Sequence, residues 1–211
     1  MNSNIKMIVD VNNIGIYSCA QSNISDAVLE CQQKVFNKFG LAIQQDIVTF
    51  SHGEYLNYVV NTTDKEYVIF FDIDCIPLSV NFYSIIKADM ENGFLSGAIG
   101  CANHLAPNEV YVHPCFMGFS MKFYNECGRP NLGAYGDCDA GQRFTKYCVQ
   151  LGKPVKYWEI TDSGDTTWAM APRNTRFGHP TVFENMIYHQ YESRVELYQE
   201  MFINKCHQLL Q

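Results

Sequence analysis

Two aspartates one residue apart close the apolar run Tyr67-Val68-Ile69-Phe70-Phe71-Asp72-Ile73-Asp74-Cys75-Ile76-Pro77-Leu78. In an extended chain residues i and i+2 project from one face, so Asp72 and Asp74 are expected to point together. Carboxylates that close repel each other unless one takes a proton or a cation lies between them. At the carboxyl end of a buried strand, where open α/β sheets bind ligands, a divalent cation is the better reading. A solvated acidic turn is the bland alternative, and for an isolated Asp-x-Asp it is the commoner one. The apolar run that precedes the pair favours a site.

Composition narrows what such a site could serve. The chain has 211 residues, 47% hydrophobic and 18% charged, enough for one substantial soluble domain. Net charge is −7, from 15 basic and 22 acidic residues, and no run of Lys or Arg stands out. A duplex nucleic-acid partner is therefore disfavoured. An acidic protein that binds a phosphorylated ligand needs a metal, helix N-termini or a few placed cations, which fits the aspartate pair. The nine cysteines contain no C-x-x-C pair, which argues against a zinc cluster. They read as reduced, mostly buried thiols of a cytoplasmic protein. The first six residues, Met1 to Lys6, lack the apolar core of a signal peptide, and no stretch approaches transmembrane length, so no membrane span is expected.

The elements that must position the pair alternate between strand and helix, which predicts an α/β fold with a central, mostly parallel mixed sheet flanked by helices. Strands are expected at Ile14–Ser18, Leu41–Phe50, Tyr67–Phe71, Phe94–Cys101, Val110–Ser120 and Val155–Ile160. Ser25 is expected to cap a helix closed by Gly40. Further helices are expected at His52–Thr62, at Val80–Asn92, up to Leu151 behind a cap at Asp137 or Asp139, and at Glu192–Leu210. The polar stretch Thr161–Pro180, with its glycines and prolines, reads as a functional loop or lid.

Taken in order, these features resemble a GT-A glycosyltransferase. The carrying segments are Phe70-Phe71-Asp72-Ile73-Asp74-Cys75-Ile76-Pro77-Leu78, the acidic Gly136-Asp137-Cys138-Asp139-Ala140-Gly141-Gln142, and the late Tyr188-His189-Gln190-Tyr191-Glu192-Ser193-Arg194. The size and the cysteine- and aromatic-rich character are also similar to the N-terminal glycosyltransferase domains of chlorella-virus enzymes that decorate a capsid protein. That likeness implies an excised domain, a viral glycan as acceptor, and possible further domains after Gln211. The GT-A resemblance implies one domain over 1–211, with a nucleotide-sugar half over about 1–95 and an acceptor half over about 96–211. It implies Mn²⁺ (or Mg²⁺) held by Asp72, Asp74 and a late histidine, His189, with His179 the fallback. It also implies a nucleotide-sugar donor, UDP by family habit, and a glycan or glycoprotein acceptor, with a retaining outcome favoured.

Each assignment has a structural alternative. His52 could sit near the nucleotide or belong to a helix start, and Arg194 could meet a phosphate or lie on the surface of the last helix. Asp137 or Asp139 could contact sugar or act as general base, or simply cap a helix. The segment His113-Pro114-Cys115-Phe116-Met117-Gly118-Phe119, Phe116 and Met117 above all, could floor the acceptor site, although a core strand is the default. Trp168, in a polar segment, is the better stacking platform for a sugar ring, whereas Trp158 reads as core. A haloacid-dehalogenase-like phosphatase would use Asp72 as nucleophile, but Ile76 stands where a Thr or Val is usual. A non-catalytic sugar-binding module is the remaining rival.

Overall fold

The computed structural model describes residues 13–211; the segment read for a leader lies outside them. The chain runs β1 (Ile14–Ala20), α1 (Asp26–Lys38), β2 (Gln44–Ile47), α2 (His52–Thr62), β3 (Tyr67–Phe71), β4 (Cys75–Pro77), α3 (Asn81–Glu91), β5 (Leu95–Cys101) and β6 (Val110–Ser120). It continues through α4 (Met121–Glu126), α5 (Gln142–Gln150), β7 (Val155–Trp158), β8 (Ile160–Met170), β9 (Thr175–Phe183), β10 (Ile187–His189) and α6 (Glu196–Leu210). A six-stranded mixed sheet has the order β2-β1-β3-β6-β5-β7. β1 is parallel to both β2 and β3, β5 is parallel to β7, and β6 runs antiparallel to β3 and β5.

β3 is central, and its composition follows from that place. A strand covered on both faces reads as a continuous apolar run, not as an alternation. Val68 and Phe70 join one cluster with Tyr55 and Leu56 of α2 and Phe144 of α5. Ile69 and Phe71 join the other, with Phe82, Ile86 and Met90 of α3. Phe71 packs edge-on to Phe82 and at 5.0 Å from Phe116. Helices on both faces thus fix β3, and with it the residues at its carboxyl end.

A second, four-stranded sheet, β4-β10-β9-β8, corrects the expectation of a loop or lid over Thr161–Pro180. This segment is instead a long antiparallel hairpin, turned by a 3₁₀ stretch at Ala171–Arg173 and by Asn174 at φ 49°. Its glycines are not breakers. A Cβ on Gly178 would lie 1.6 Å from the Asp165 carbonyl oxygen, and one on Gly164 would lie 2.4 Å from that of His179. The two strands pass too closely there for any side chain.

Other boundaries shift for local reasons. α5 begins after Gly141, at φ 75°, so neither Asp137 nor Asp139 is its cap. The last helix starts at Glu196, not Glu192, because Tyr191 and Glu192 both take left-handed backbone, φ 52° and 55°. α4 was not anticipated, and β2 is shorter than Leu41–Phe50. All nine cysteines are free, and all but Cys19 are buried. Among the described residues no helix is long and apolar enough to cross a membrane.

Candidate metal centre

The acidic pair sits in a tight turn instead of extended chain. The Cys75 N–H donates to the Asp72 carbonyl at 3.0 Å, reversing the chain between β3 and β4. The carboxylates converge nonetheless, because the turn is clamped from beneath. Gln32 of α1, fully buried, donates its Nε2–H to the carbonyls of Asp72 (2.7 Å) and Cys75 (2.9 Å), and its Oε1 accepts from Gln45 at 2.9 Å.

The third member arrives through strand pairing. β10 lies antiparallel to β4 with His189 opposite Cys75, which carries the imidazole to Asp74. His189 Nε2 is 3.1 Å from Asp74 Oδ1 and 3.4 Å from Asp72 Oδ2. The other Asp74 oxygen accepts from the Ser193 N–H at 3.2 Å, and the Gln190 N–H donates to the Asp74 carbonyl at 3.0 Å. The other Asp72 oxygen lies 3.3 Å from Nε2 of His52, at the first turn of α2. Ser51 and Glu54 cap that helix reciprocally, which fixes where His52 stands.

Electrostatics pull the two carboxyls apart. Burial pushes Asp72 up, against the attraction of His52 and His189. Burial would push Asp74 up as well, but the charge and hydrogen bond of His189 and the Ser193 N–H outweigh it and hold it down at about 2. Burial alone would lower His189, yet Cys115 and Asp74 raise it well above its ordinary value. Crowded carboxylates that differ this way are what a shared cation relieves.

One ligand atom from each of Asp72, Asp74 and His189 lies within 4.8 Å of the others, so the cluster can hold a metal ion. The spacing suits one. Neighbouring ligands of an octahedral ion with bonds of about 2.1 Å stand about 3 Å apart, close to the 3.1 and 3.4 Å separations from His189. Two carboxylate oxygens and one imidazole suit a hard to borderline dication such as Mn²⁺ or Mg²⁺.

Two cavities flank the cluster. The first, about 260 Å³, lies at the carboxyl ends of β1 and β3 and is lined by Ala20, Val48, His52, Asp72, Asp74 and Arg194. His52 and Arg194 thus line the same cavity. Arg194 is largely exposed and lies 3.6 Å from Glu192. The second, about 280 Å³, lies beyond His189 and is lined by Tyr111, His113, Asp139, Trp168, Phe177 and Tyr191. Trp168 and Asp139 therefore do reach a common cavity. Trp168 comes from the β8–β9 hairpin, and Asp139 is anchored by the Tyr111 hydroxyl at 3.1 Å and the Ala140 N–H at 2.8 Å.

Four expected site residues lie elsewhere. Phe116 and Met117 are fully buried on opposite faces of the central β6, so they are core residues and cannot touch an acceptor. Asp137 faces solvent, paired with Lys146 at 3.1 Å. His179, the fallback ligand, is buried against Tyr198, rings 4.0 Å apart, with its Nε2 3.4 Å from Glu192. Sequence reasoning missed Gln32, for which no local pattern signals a role, and gave His113 no role of its own within the segment 113–119.

No family model matches the chain, and no curated protein matches it. Among solved structures it is similar to A197 from STIV, with 14% identity over 77% of this chain and 93% of that one, at a TM-score of 0.44. It is also similar to the bifunctional IspDF from Campylobacter jejuni, with 10% identity over 72% of this chain and 50% of that one, at a TM-score of 0.43. Likenesses this remote carry no argument about function.

Proposed function

We propose that the protein is a metal-dependent glycosyltransferase of the GT-A type, moving a sugar from a nucleoside diphosphate sugar to a hydroxyl of a glycan or glycoprotein. The observation that carries this reading is the Asp72–Asp74–His189 cluster at the end of β3, set between two cavities. Asp72, Asp74 and His189 would hold a Mn²⁺ or Mg²⁺ ion. When bound, such an ion neutralises charge that develops on a departing diphosphate.

The chain's own groups have separate tasks. His52 and Arg194 offer donors to phosphate oxygens in the first cavity, and the N-terminus of α2 points the same way. The carboxyl ends of β1 and β3 wall the space for a nucleoside, the place where open α/β sheets take nucleotides. Uridine is the nucleoside favoured by the resemblance. The second cavity, with its aromatic walls and the Asp139 carboxylate, suits a polyhydroxylated ring.

The test is release of nucleoside diphosphate from a panel of nucleotide sugars, with and without Mn²⁺. Metal-dependent release is expected for at least one donor, and it should be absent in Asp74→Ala while the thermal melt stays cooperative. Release that ignores the metal, or that survives in Asp74→Ala, contradicts the reading. A covalent aspartyl-phosphate trapped at Asp72 would establish the phosphatase rival instead.

A further inference from the structure

The second cavity contains a polar group to which the sequence reading gave no role of its own, His113 on β6. Two constraints fix its ring. Its Nδ1 accepts a hydrogen bond from the Cys115 N–H at 3.1 Å, so in the neutral imidazole the proton sits on Nε2. Its ring edge lies over Gly100 of β5, where a Cβ would approach His113 Cβ at 2.8 Å and Cδ2 at 3.0 Å. Only a residue without a side chain leaves room for the ring there.

No oxygen or nitrogen of a described residue accepts from His113 Nε2, and the Cys115 thiol stands beside the mostly buried ring. Around it stand Tyr111 at 5.6 Å, His189 at 6.1 Å and Tyr191 at 6.1 Å between ring centroids. Tyr191 in turn lies against His189 at 3.7 Å and Trp168 at 5.4 Å. The cavity therefore combines aromatic walls, a carboxylate acceptor held in place by Tyr111, and one N–H donor of fixed direction. A fixed donor and a fixed acceptor over aromatic faces can tell apart rings that differ only in which way a hydroxyl points.

We propose that His113 is a specificity-determining residue, its Nε2–H reading one hydroxyl of the transferred sugar while Asp139 accepts from another. The proposal rests on the glycosyltransferase reading for the nature of the ligand. It goes beyond that reading in assigning the selection of sugar configuration to a group that touches neither metal nor phosphate. Tyr191, a wall of the second cavity, lies against His189 and faces His113, so a sugar joined to a metal-held diphosphate would enter the cavity beside His113.

The test is calorimetric titration of UDP-glucose, UDP-galactose, GDP-mannose and GDP-fucose into the Mn²⁺-loaded protein, each compared with its parent diphosphate. In the wild type at least one sugar is expected to improve on its diphosphate, and the preferred sugar to lead the others by roughly tenfold, the worth of one well-made hydrogen bond. In His113→Ala that lead should fall to within about twofold while affinity for the diphosphate is unchanged. Gly100→Ala, which pushes the ring aside without removing it, should do the same, and His113→Gln, which keeps an N–H donor, should restore part of the lead. A full lead retained in His113→Ala, or a wild type in which every sugar binds as its diphosphate does, overturns the assignment and leaves the metal reading standing. No Mn²⁺-dependent binding of either diphosphate to the wild type would overturn the glycosyltransferase reading itself.

Discussion

Asp74 and His189 are 115 residues apart in the chain and 3.1 Å apart in space, joined by the antiparallel pairing of β4 with β10. That pairing makes the second sheet part of the site. β3 and its turn supply the carboxylates, and the imidazole comes from a strand of the other sheet. The cluster exists only when both sheets are formed and docked.

The first prediction concerns pH. Asp74 is held at about 2, below its ordinary 3.8. A depressed carboxyl stabilises the fold above its unfolded value, and that contribution is lost as pH falls through the folded value. Metal-free wild type should therefore lose on the order of 2 kcal/mol more stability than Asp74→Asn between about pH 5 and pH 2. His189, raised by its surroundings, acts in the opposite sense: its contribution is present below about 6.5 and fades as pH rises through its folded value. Denaturant unfolding at a series of pH values measures both. Parallel curves for the two proteins at low pH would remove the assigned role of Asp74.

Gln32 should matter more to the metal than its distance from solvent suggests. Gln32→Leu leaves the carbonyls of Asp72 and Cys75 without donors, at about 1–3 kcal/mol for each buried group. Loosening the turn should also weaken Mn²⁺ binding by about tenfold or more, as for other supporting contacts of metal ligands. A lowered melting temperature with undiminished Mn²⁺ affinity would make Gln32 a purely structural residue.

The hairpin gives a third prediction. Gly178→Ala places a methyl 1.6 Å from the Asp165 carbonyl oxygen and 2.8 Å from the Thr167 nitrogen. The strands must separate, at a cost of about 3 kcal/mol or more. Because β9 pairs with β10, the disturbance should reach His189, so Mn²⁺ affinity should fall together with the melting temperature. A variant as stable as wild type would contradict the close strand approach.

What the sequence made legible follows the range of the forces involved. β3 and its aspartates were readable because a doubly covered strand must be apolar throughout and its end is local. The flanking helices followed from the alternation of strand and helix patterns, whereas the sheet order did not. Phe116 and Met117 were misassigned because an apolar β6 reads alike whether it floors a site or fills a core. The hairpin was mistaken for a loop because Gly164 and Gly178 look like breakers until the opposing strand is seen to need their space. Gln32 left no signal, since a buried clamp is made by partners that only the fold brings near, and His113 was hidden in a segment that reads as an apolar core strand.

The most direct measurement is Mn²⁺ titration followed by electron paramagnetic resonance, on wild type and on the Asp72→Asn and Asp74→Asn variants, with and without UDP. The wild type should deplete the free-Mn²⁺ signal at one site per chain, more strongly with UDP present, and each variant should leave that signal almost undiminished. Equal depletion by all three proteins would mean the cation is held somewhere other than between Asp72, Asp74 and His189.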